Sequence, residues 1–442
     1  MSDLPRGWIR TRLGAVCKIV SGSTPRSDEP RYWGGQIPWI TPDDLSKHTS
    51  QMIAVGRRSI SAEGYASCSA QMVPSGAVLY TSRAPIGYVA IASQPVCTNQ
   101  GFKSLIPSEG LSSQYLYWYM RYATQEVRSR ASGTTFEEIS GRAMAEVPLV
   151  VAPRREQERI VAAIEEQFSC LDAAMHQLER VKRNLKRMRA AIHLRFDQAA
   201  SKGISPQPLI EHAQFIVDGD HNPPKRFAQG IPYLTAKHVK NGRVTTEGAT
   251  FVSAADFEVL RRRYDPRAGD VLVTCVGTLG EVAVVPDGLT FAADRNIAAI
   301  RPKPGVNPAF MASLLRSPQQ REALVAGSGS TAQPHLYLKD LRALPLAVPD
   351  AARQVALLDE LETGLAFISR TERFVNTSFV RMGLLRSGIL TRAFAGKLVA
   401  QDPTDEPGVV LVERLATKRQ PSNGPRAPRV RVPLAARTKV RP

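Results

Sequence analysis

Gly76-Ala77-Val78-Leu79-Tyr80-Thr81 leads through a turn to Gly87-Tyr88-Val89-Ala90, and the pattern returns 193 residues later as Gly269-Asp270-Val271-Leu272-Val273-Thr274 leading to Gly280-Glu281-Val282-Ala283. Seven of the fifteen aligned positions are identical, whereas average composition predicts about one. The stretch is therefore duplicated. Its β-branched and aromatic runs, bounded by glycine, predict a β-hairpin in each copy, formed in the first by residues 78–81 and 88–91.

The duplication extends over most of the chain. Residues 37–41 match 231–235 at an offset of 194, and Gln157 matches Gln354 at an offset of 197. Apolar periodicity predicts a helix around 114–130 in the first copy and around 308–325 in the second. We therefore expect two similar α+β globules.

A long helix is predicted after each globule, because an apolar heptad can be counted. The first seam comprises Ile164, Phe168, Leu171, Met175, Leu178, Leu185 and Ile192, and the second comprises Leu361, Leu365, Ile368, Val375, Phe379, Met382 and Ile389. The two seams are in phase at the 197-residue offset. Matched seams favour an antiparallel coiled coil over two stripes that each face a globular core.

The predicted pairing would relate the two halves by a pseudo-two-fold axis. It would bring Lys182 within about a turn of Glu372, so that two polar interruptions of the seam neutralise each other. Each helix would be roughly 65 Å long, and successive major-groove sites on one face of DNA lie about 34 Å apart. The pair is thus long enough to hold two readers on one duplex.

These patterns divide the chain into five parts: globules at 1–152 and 201–350, long helices at 153–200 and 351–400, and a tail at 401–442. The formal charge is +18, which favours a polyanionic partner. Half of that charge comes from residues 414–442, which carry nine Lys or Arg and no acid. Their composition is typical of a basic, disordered tail.

Several other classes of protein find little support. The five cysteines (Cys17, Cys68, Cys97, Cys170 and Cys275) form no Cys-x-x-Cys pair, and the histidines show no metal-ligand spacing. We therefore expect reduced cysteines and no metal or cofactor. No apolar stretch is long enough for a signal peptide or membrane span, so we expect a cytoplasmic protein.

Two alternatives remain open. Asn222-Pro223-Pro224 is similar to the Asn-Pro-Pro-aromatic signature of DNA amino-methyltransferases, although Lys225 replaces the aromatic residue and no glycine-rich cofactor loop precedes it. A coiled-coil scaffold without a DNA role would explain the heptads. It would leave the duplicated globules with divergent loops unexplained.

Further motifs resemble the specificity subunits of type I restriction-modification enzymes. They are Leu4-Pro5-Arg6-Gly7-Trp8, Tyr32-Trp33-Gly34-Gly35-Gln36-Ile37-Pro38-Trp39, Asn99-Gln100-Gly101-Phe102 and Ala393-Phe394-Ala395-Gly396-Lys397-Leu398. The resemblance covers roughly residues 4 to 400. In the second copy, Ala293-Asp294-Arg295-Asn296 replaces the Asn-Gln pattern.

The resemblance implies a non-catalytic subunit. Its two target-recognition domains would read the halves of an asymmetric bipartite site in double-stranded DNA. Its helices would act as a spacer and dock two methyltransferase subunits, which are joined by restriction subunits with motor and nuclease activity. No membrane partner is implied.

Loop residues that can donate hydrogen bonds are the candidate DNA contacts. They are Arg26, Thr41, Arg83, Lys103 and Thr134 in the first domain, and Lys225, Lys237, His238, Thr278, Arg295 and His335 in the second. The spacer or partner-binding residues would be Ile164, Phe168, Leu171, Leu178, Leu185, Leu361, Ile368, Val375 and Met382. Trp39 and Tyr233 occupy equivalent positions, which favours a packing role over base stacking.

Overall fold

A computed structural model describes residues 4–133, 137–222, 224–277, 279–326 and 335–418. The chain divides into two compact units. Unit 1 combines the chain up to residue 175 with the chain from residue 380 onward, and unit 2 comprises residues 176–379. Each unit therefore contains one globule and a part of both long helices.

Unit 1 is built on a five-stranded sheet with the order β2-β9-β6-β7-β4, a three-stranded sheet β5-β3-β8 and the pair β1-β10. The strands are β1 Ile9–Arg12, β2 Cys17–Ser21, β3 Trp33–Ile40, β4 Met52–Ile53, β5 Arg58–Ile60, β6 Val78–Tyr80, β7 Val89–Ala92, β8 Cys97–Thr98, β9 Lys103–Pro107 and β10 Pro148–Val151. The helices are α1 Leu13–Val16, α2 Pro42–Ser46, α3 Ala62–Ala66, α4 Ser113–Tyr122, α5 Thr124–Ser129, α6 Gly141–Ala145 and the long α7 Arg154–Ser201, with a 3₁₀ turn at Pro30–Tyr32.

Unit 2 repeats this construction with a four-stranded sheet β12-β20-β17-β18, a three-stranded sheet β16-β13-β19 and the pairs β11-β21 and β14-β15. The strands are β11 Gln207–Pro208, β12 Ala213–Asp218, β13 Ile231–Leu234, β14 Val239–Lys240, β15 Arg243–Val244, β16 Thr250–Val252, β17 Val271–Thr274, β18 Val282–Val284, β19 Ala292–Ala293, β20 Ile297–Pro302 and β21 Pro345–Leu346. The helices are α8 Ala254–Leu260, α9 Pro308–Leu315, α10 Pro318–Ala326, α11 Leu338–Ala343 and the long α12 Ala351–Phe394, with 3₁₀ turns at Leu209–His212 and Ala236–His238. A last helix, α13 Gly408–Lys418, follows in the chain that belongs to unit 1.

The repeated stretch forms the predicted hairpin in both units, β6-β7 and β17-β18. Gly76 and Gly269 start it at φ +84° and +86°, a conformation that glycine adopts without strain. At the other end, the Thr81 hydroxyl accepts from the amides of Gly87 and Tyr88, at 3.1 and 2.9 Å. Thr274 accepts in the same way from the Glu281 amide at 2.9 Å. The residues that are identical between the copies thus set the hairpin backbone.

The helices predicted at 114–130 and 308–325 are each broken into two. In unit 2, α9 ends at Leu315 and α10 begins at Pro318. Proline lacks an amide hydrogen and disfavours a helical residue before it, so the break follows from Pro318. In unit 1, α4 and α5 meet at Ala123 with ψ near zero, and the sequence carries no comparable signal there.

Two equivalent glutamines join each globule to the start of its long helix. The Gln157 amide accepts from Ser112 N at 2.9 Å and donates to Ala152 O at 2.9 Å. Gln354 accepts from Asn307 N and donates to Pro349 O, both at 2.7 Å. Both side chains are buried. The match between Gln157 and Gln354 in the sequence therefore reflects a shared clamp on buried backbone groups.

The long helices pair antiparallel, as predicted. The N-terminal part of each helix lies beside the C-terminal part of the other, α7 contributing its N-terminal part to unit 1 and α12 contributing its own to unit 2. In unit 1, Arg386 donates to Asp172 and its guanidinium lies 5.4 Å from the centre of the Phe168 ring. In unit 2, Leu185, Ile368 and Val375 form a buried apolar seam.

The predicted pairing of Lys182 with Glu372 is wrong. Glu372 instead pairs with Arg189, with Nη2 and Oε2 2.7 Å apart, while Lys182 is exposed. Arg189 lies one heptad beyond Lys182 on the same seam, so the helices pair one heptad away from the register that charge matching suggested. The apolar layers fit this register, because Ile192 packs against Gly364, where there is no side chain to displace it.

The chain after α12 differs from the predicted tail. Residues 405–412 pack against the rest of unit 1: Arg159 and Asp405 form an ion pair at 2.6 Å, Gly408 donates to Gly7 O at 2.8 Å, and Leu411 contacts the apolar core. The prediction of a tail rested on the basic residues after 413 and overlooked the four consecutive apolar residues from Val409 to Val412. Residues 419–442 lie outside the described part of the chain.

A buried carboxylate on α7 gives a pH-dependent prediction for unit 2. Burial raises the pKa of Asp197 to about 6, while the nearby Ser317 hydroxyl acts in the opposite direction. The ordinary value is about 4, so the folded state binds this proton more tightly than the unfolded state. The stabilisation is present below pH 4 and is lost as the pH rises through 6.

We therefore expect Asp197→Asn to stabilise the protein at pH 7.5. The gain should be about 1 kcal/mol, since the residue remains partly accessible. Thermal unfolding at pH 7.5 and pH 5 measures it, and the difference between variant and parent should shrink at pH 5. The exposed Asp287→Asn is the control. A variant that melts at or below the parent temperature at pH 7.5 would contradict this reading.

Candidate nucleic-acid interface

Strand direction brings several loops of unit 1 to one end of its main sheet. Strands β2, β9, β6 and β7 are successively antiparallel. The C-terminal ends of β2 and β6 and the N-terminal ends of β9 and β7 therefore lie together. We call the loops at this end the loop edge, which in unit 1 comprises residues 22–29, 82–88 and 99–102 and the returning segment 138–140. Unit 2 has the same edge at 219–222, 224–227, 275–277, 279–281, 294–296 and 335–337.

The residues predicted to contact DNA in unit 1 have different environments. Arg26 is exposed and pairs with Asp28 at 3.0 Å. Thr41 caps α2, because its hydroxyl donates to Asp44 at 2.6 Å and Asp44 also accepts from the Thr41 amide. Burial acts to raise the pKa of Asp44, but hydrogen bonds from Thr41 and Arg57 outweigh it, so the pKa lies below its ordinary value. Thr134 lies outside the described residues.

Arg83 and Lys103 meet at a carboxylate that sequence reasoning missed. Glu138 accepts from Arg83 Nη1 at 3.3 Å and from Lys103 Nζ at 3.2 Å. Lys103 also donates to Ser82 Oγ at 3.4 Å. Its side chain is only 7% exposed, so we correct its prediction: Lys103 is a buried residue that holds Glu138 and not an exposed candidate for a DNA contact.

In unit 2, His238 takes the place that Asp44 has in unit 1. Its Nδ1 accepts from the Thr235 amide at 2.8 Å and completes the cap of the Ala236–His238 turn. His238 is 1% exposed, and burial lowers its pKa. We therefore correct His238 as well, from a DNA contact to a neutral, structural residue. Lys225 and Lys237 are exposed, with the Lys237 ammonium donating to Gly248 O at 3.2 Å.

Arg295 and His335 come together in a cleft of about 740 Å³ at the loop edge of unit 2. The cleft is also lined by Asp218, His221, Tyr337 and Lys339. Burial acts to raise the pKa of Asp218, but hydrogen bonds from Arg263 and His221 outweigh it and the pKa is lowered. Asp218 is therefore ionised and holds His221 at 2.8 Å. Thr278 lies outside the described residues.

The turns that precede β9 and β20 correspond in the two units. Asn99 Oδ1 accepts from the Gly101 amide and Asp294 Oδ1 accepts from the Asn296 amide, at 2.9 and 3.0 Å. Asp294 therefore forms the turn that Asn99 forms, and Gln100 is the counterpart of Arg295. Sequence reasoning missed Gln100, Glu138, His221 and Lys339. The offset of 195 residues that links Asn99 to Asp294 could have identified Gln100.

The remaining sequence candidates fall into two groups. Trp39 and Tyr233 are 3% and 1% exposed and belong to the cores around the small sheets, as a packing role requires. The seam residues Ile164, Phe168, Leu185, Leu361, Ile368 and Val375 are buried, whereas Leu171, Leu178 and Met382 are partly exposed. Most of the seam is thus buried within the units and offers little surface to a partner. A partner therefore has to bind other side chains of the helices.

Duplicated sheets whose polar loop edges differ in side chains are typical of scaffolds that present two unlike binding surfaces. The sequence model described as "Type I restriction modification DNA specificity domain" matches residues 5–183 and 220–373. The chain belongs to this family.

Individual relatives agree with the family match. The chain is 38% identical over 166 residues to the type I restriction enzyme MjaIX specificity subunit of Methanocaldococcus jannaschii, covering 37% of this chain and 38% of that protein. It is 22% identical to the EcoBI specificity subunit of Escherichia coli over 96% of this chain and 94% of that protein. The alignment with the archaeal relative thus spans well under half of either chain, whereas the bacterial one spans nearly all of both.

Solved structures show the same fold. The HsdS subunit from Thermoanaerobacter tengcongensis matches with a TM-score of 0.59 at 19% identity, over 90% of this chain and 98% of that chain. A chain described under "Structural basis underlying complex assembly and conformational transition of the type I R-M system" matches with a TM-score of 0.67 at 18% identity, over 90% and 100%. Within the described ranges, no helix is both long and apolar enough to cross a membrane.

Proposed function

We propose that this chain reads DNA sequence for a type I restriction-modification complex, with each loop edge contacting one half of an asymmetric bipartite site. The observation that carries the proposal is the shared backbone of the two loop edges, seen in the turns at Asn99 and Asp294, combined with their different side chains. A shared backbone with Gln100 in one copy and Arg295 in the other presents different hydrogen-bonding groups to the two half-sites. The comparisons add the family, whose description names DNA specificity.

The chemistry of the complex belongs to partner subunits in this proposal, and the chain acts in the cytoplasm without a cofactor. Burial raises the pKa of Cys275 to about 12, so the thiol beside the unit 2 cleft stays protonated and is a poor nucleophile. Asn222 is exposed and Pro223 lies outside the described residues. No comparison supports a methyltransferase or a scaffold without DNA binding.

We further propose that the helical pair of unit 2 docks a methyltransferase subunit. Phe367 and Phe374 are 56% and 64% exposed and lie one heptad apart on α12, while Val181 and Met188 repeat that spacing on α7. Helical geometry places both stripes on one side of the antiparallel pair. We call these four residues the apolar stripe. Its exposed aromatic and Met side chains are the types enriched at protein interfaces.

Arg295→Ala tests the DNA-reading proposal. A lost base contact costs about 1–3 kcal/mol, so we expect affinity for the target DNA to fall between about 5- and 150-fold and one position of the second half-site to relax. The measurement is binding of labelled duplexes by the complex of this chain with its methyltransferase, after the target has been found by methylation mapping. Lys303→Ala removes one charge at the opposite end of the same sheet and should leave the base preference unchanged. An equal loss of affinity for all DNA sequences would indicate that Arg295 contacts a phosphate and not a base.

A further inference from the structure

The loop edge of unit 1 carries a carboxylate where the proposed function places DNA. The Glu138 side chain is 37% exposed, and its two oxygens accept from Arg83 and Lys103. DNA phosphates repel a carboxylate at such a surface. Glu138 therefore needs a role that outweighs this repulsion.

The carboxylate is held in a fixed position. Lys103 binds one oxygen from within the protein, and Arg83 binds the other from the hairpin loop. The backbone next to Glu138 is fixed too, because the Ile139 amide donates to Ser82 O at 3.1 Å. Each carboxylate oxygen can accept more than one hydrogen bond, so acceptor capacity remains on the exposed side.

Unit 2 keeps this backbone but replaces the charged residues together. The backbones of Val276 and His335 form a β-bridge, as those of Arg83 and Glu138 do in unit 1. The Leu336 amide donates to Cys275 O at 2.9 Å, which is the counterpart of the bond from Ile139 to Ser82. Ala298 stands where unit 1 has Lys103, because Lys103 lies opposite Ser21 at the end of β2 and Ala298 lies opposite Asp218 at the end of β12. The three charged side chains of unit 1 are thus all replaced in unit 2, while the backbone that carries them is kept. We would not expect this joint replacement if Glu138 had only a packing role.

We infer that Glu138 is a specificity-determining residue that accepts a hydrogen bond from the exocyclic amino group of a base in the first half-site. In the major groove, these donors are N4 of cytosine and N6 of adenine, and a carboxylate is a preferred acceptor for the former. Arg83 and Lys103 hold the acceptor in place through their contacts with its two oxygens. His335 occupies the equivalent position for the second half-site. The inference rests on the proposed function.

The test uses the paired variant Lys103→Met/Glu138→Ala, which removes the buried cation together with its partner. Bound duplexes are selected from a pool randomised at each position of the target, using the complex with the methyltransferase subunit. We expect preference for an amino-bearing base to fall at least about fivefold at one position of the first half-site, with the second half-site unchanged. The base that the parent protein prefers at that position decides between cytosine and adenine.

Arg12→Met/Glu146→Ala is the matched control. It removes an arginine–glutamate pair, 2.6 Å apart, from the β1-β10 end of unit 1, and it should leave every preference intact. Lys103→Leu/Glu138→Leu also removes the buried cation together with its partner and leaves no acceptor, so it provides a second variant if Lys103→Met/Glu138→Ala does not fold. Unchanged base preference in a folded variant, or an equal change on all sequences, overturns the inference. A parent complex that shows no base preference would instead overturn the proposed function.

Discussion

Asp270→Ala should destabilise unit 2 by about 3–5 kcal/mol, the largest effect we expect from a single substitution. Asp270 is 1% exposed and accepts four hydrogen bonds: two from Arg301, at 2.8 Å each, one from the Tyr264 hydroxyl at 3.0 Å and one from the Arg267 amide at 2.9 Å. Its removal leaves a largely buried guanidinium without its counter-charge, which is the costly way to break such a pair. Thermal unfolding followed by circular dichroism should show a decrease of about 10 °C.

The duplication supplies the control for this prediction. Unit 1 has Ala77 and Ile106 at the positions of Asp270 and Arg301; Ala77 is buried in its apolar core, and Ile106 is partly buried and packs against that core. Asp270→Ala/Arg301→Ile therefore gives unit 2 the pair of residues that unit 1 has in the same fold. We expect this double variant to recover at least half of the stability that Asp270→Ala loses. Adding Tyr264→Phe removes the last unpaired hydroxyl. The assigned network would be refuted if Asp270→Ala lowered the free energy of unfolding by less than about 1 kcal/mol. It would also be refuted if Asp270→Ala/Arg301→Ile were less stable than Asp270→Ala.

Phe367→Ser/Phe374→Ser should weaken methyltransferase binding by about 100-fold or more. Aromatic anchors at an interface each contribute about 2 kcal/mol or more when truncated, and these two rings are more than half exposed in the unbound chain. The substitutions should leave the melting temperature of the chain nearly unchanged, because little buried surface is lost. Titration calorimetry with the purified methyltransferase subunit measures the affinity directly.

Val259→Ser is the matched control for the apolar stripe. Val259 is 60% exposed on α8, so its replacement removes a similarly exposed apolar group from the globule of unit 2 and should not change the affinity. An unchanged affinity in the double phenylalanine variant would move the docking surface elsewhere. An equal loss in the Val259 variant would show that the effect is not specific to the stripe.

The sequence by itself determined the features that depend on short-range patterns. The hairpins follow from β-branched residues between glycines at 76 and 87, and from the same spacing at 269 and 280. The long helices follow from heptads that match at a 197-residue offset. Such features depend on the periodicity of the backbone, which neighbouring residues set. The family motifs belong to this level too, because they are read without knowing what lies opposite them.

Only the tertiary structure decided which distant residues meet. Glu372 pairs with Arg189 because apolar layers set the register of the helices. Lys103 is buried beneath Glu138 because the start of a central strand, β9, lies under the returning segment. Asp405 holds Arg159 across 246 residues of sequence. In each case, burial of apolar surface fixes the geometry, and polar groups then find the partners that this geometry leaves within reach.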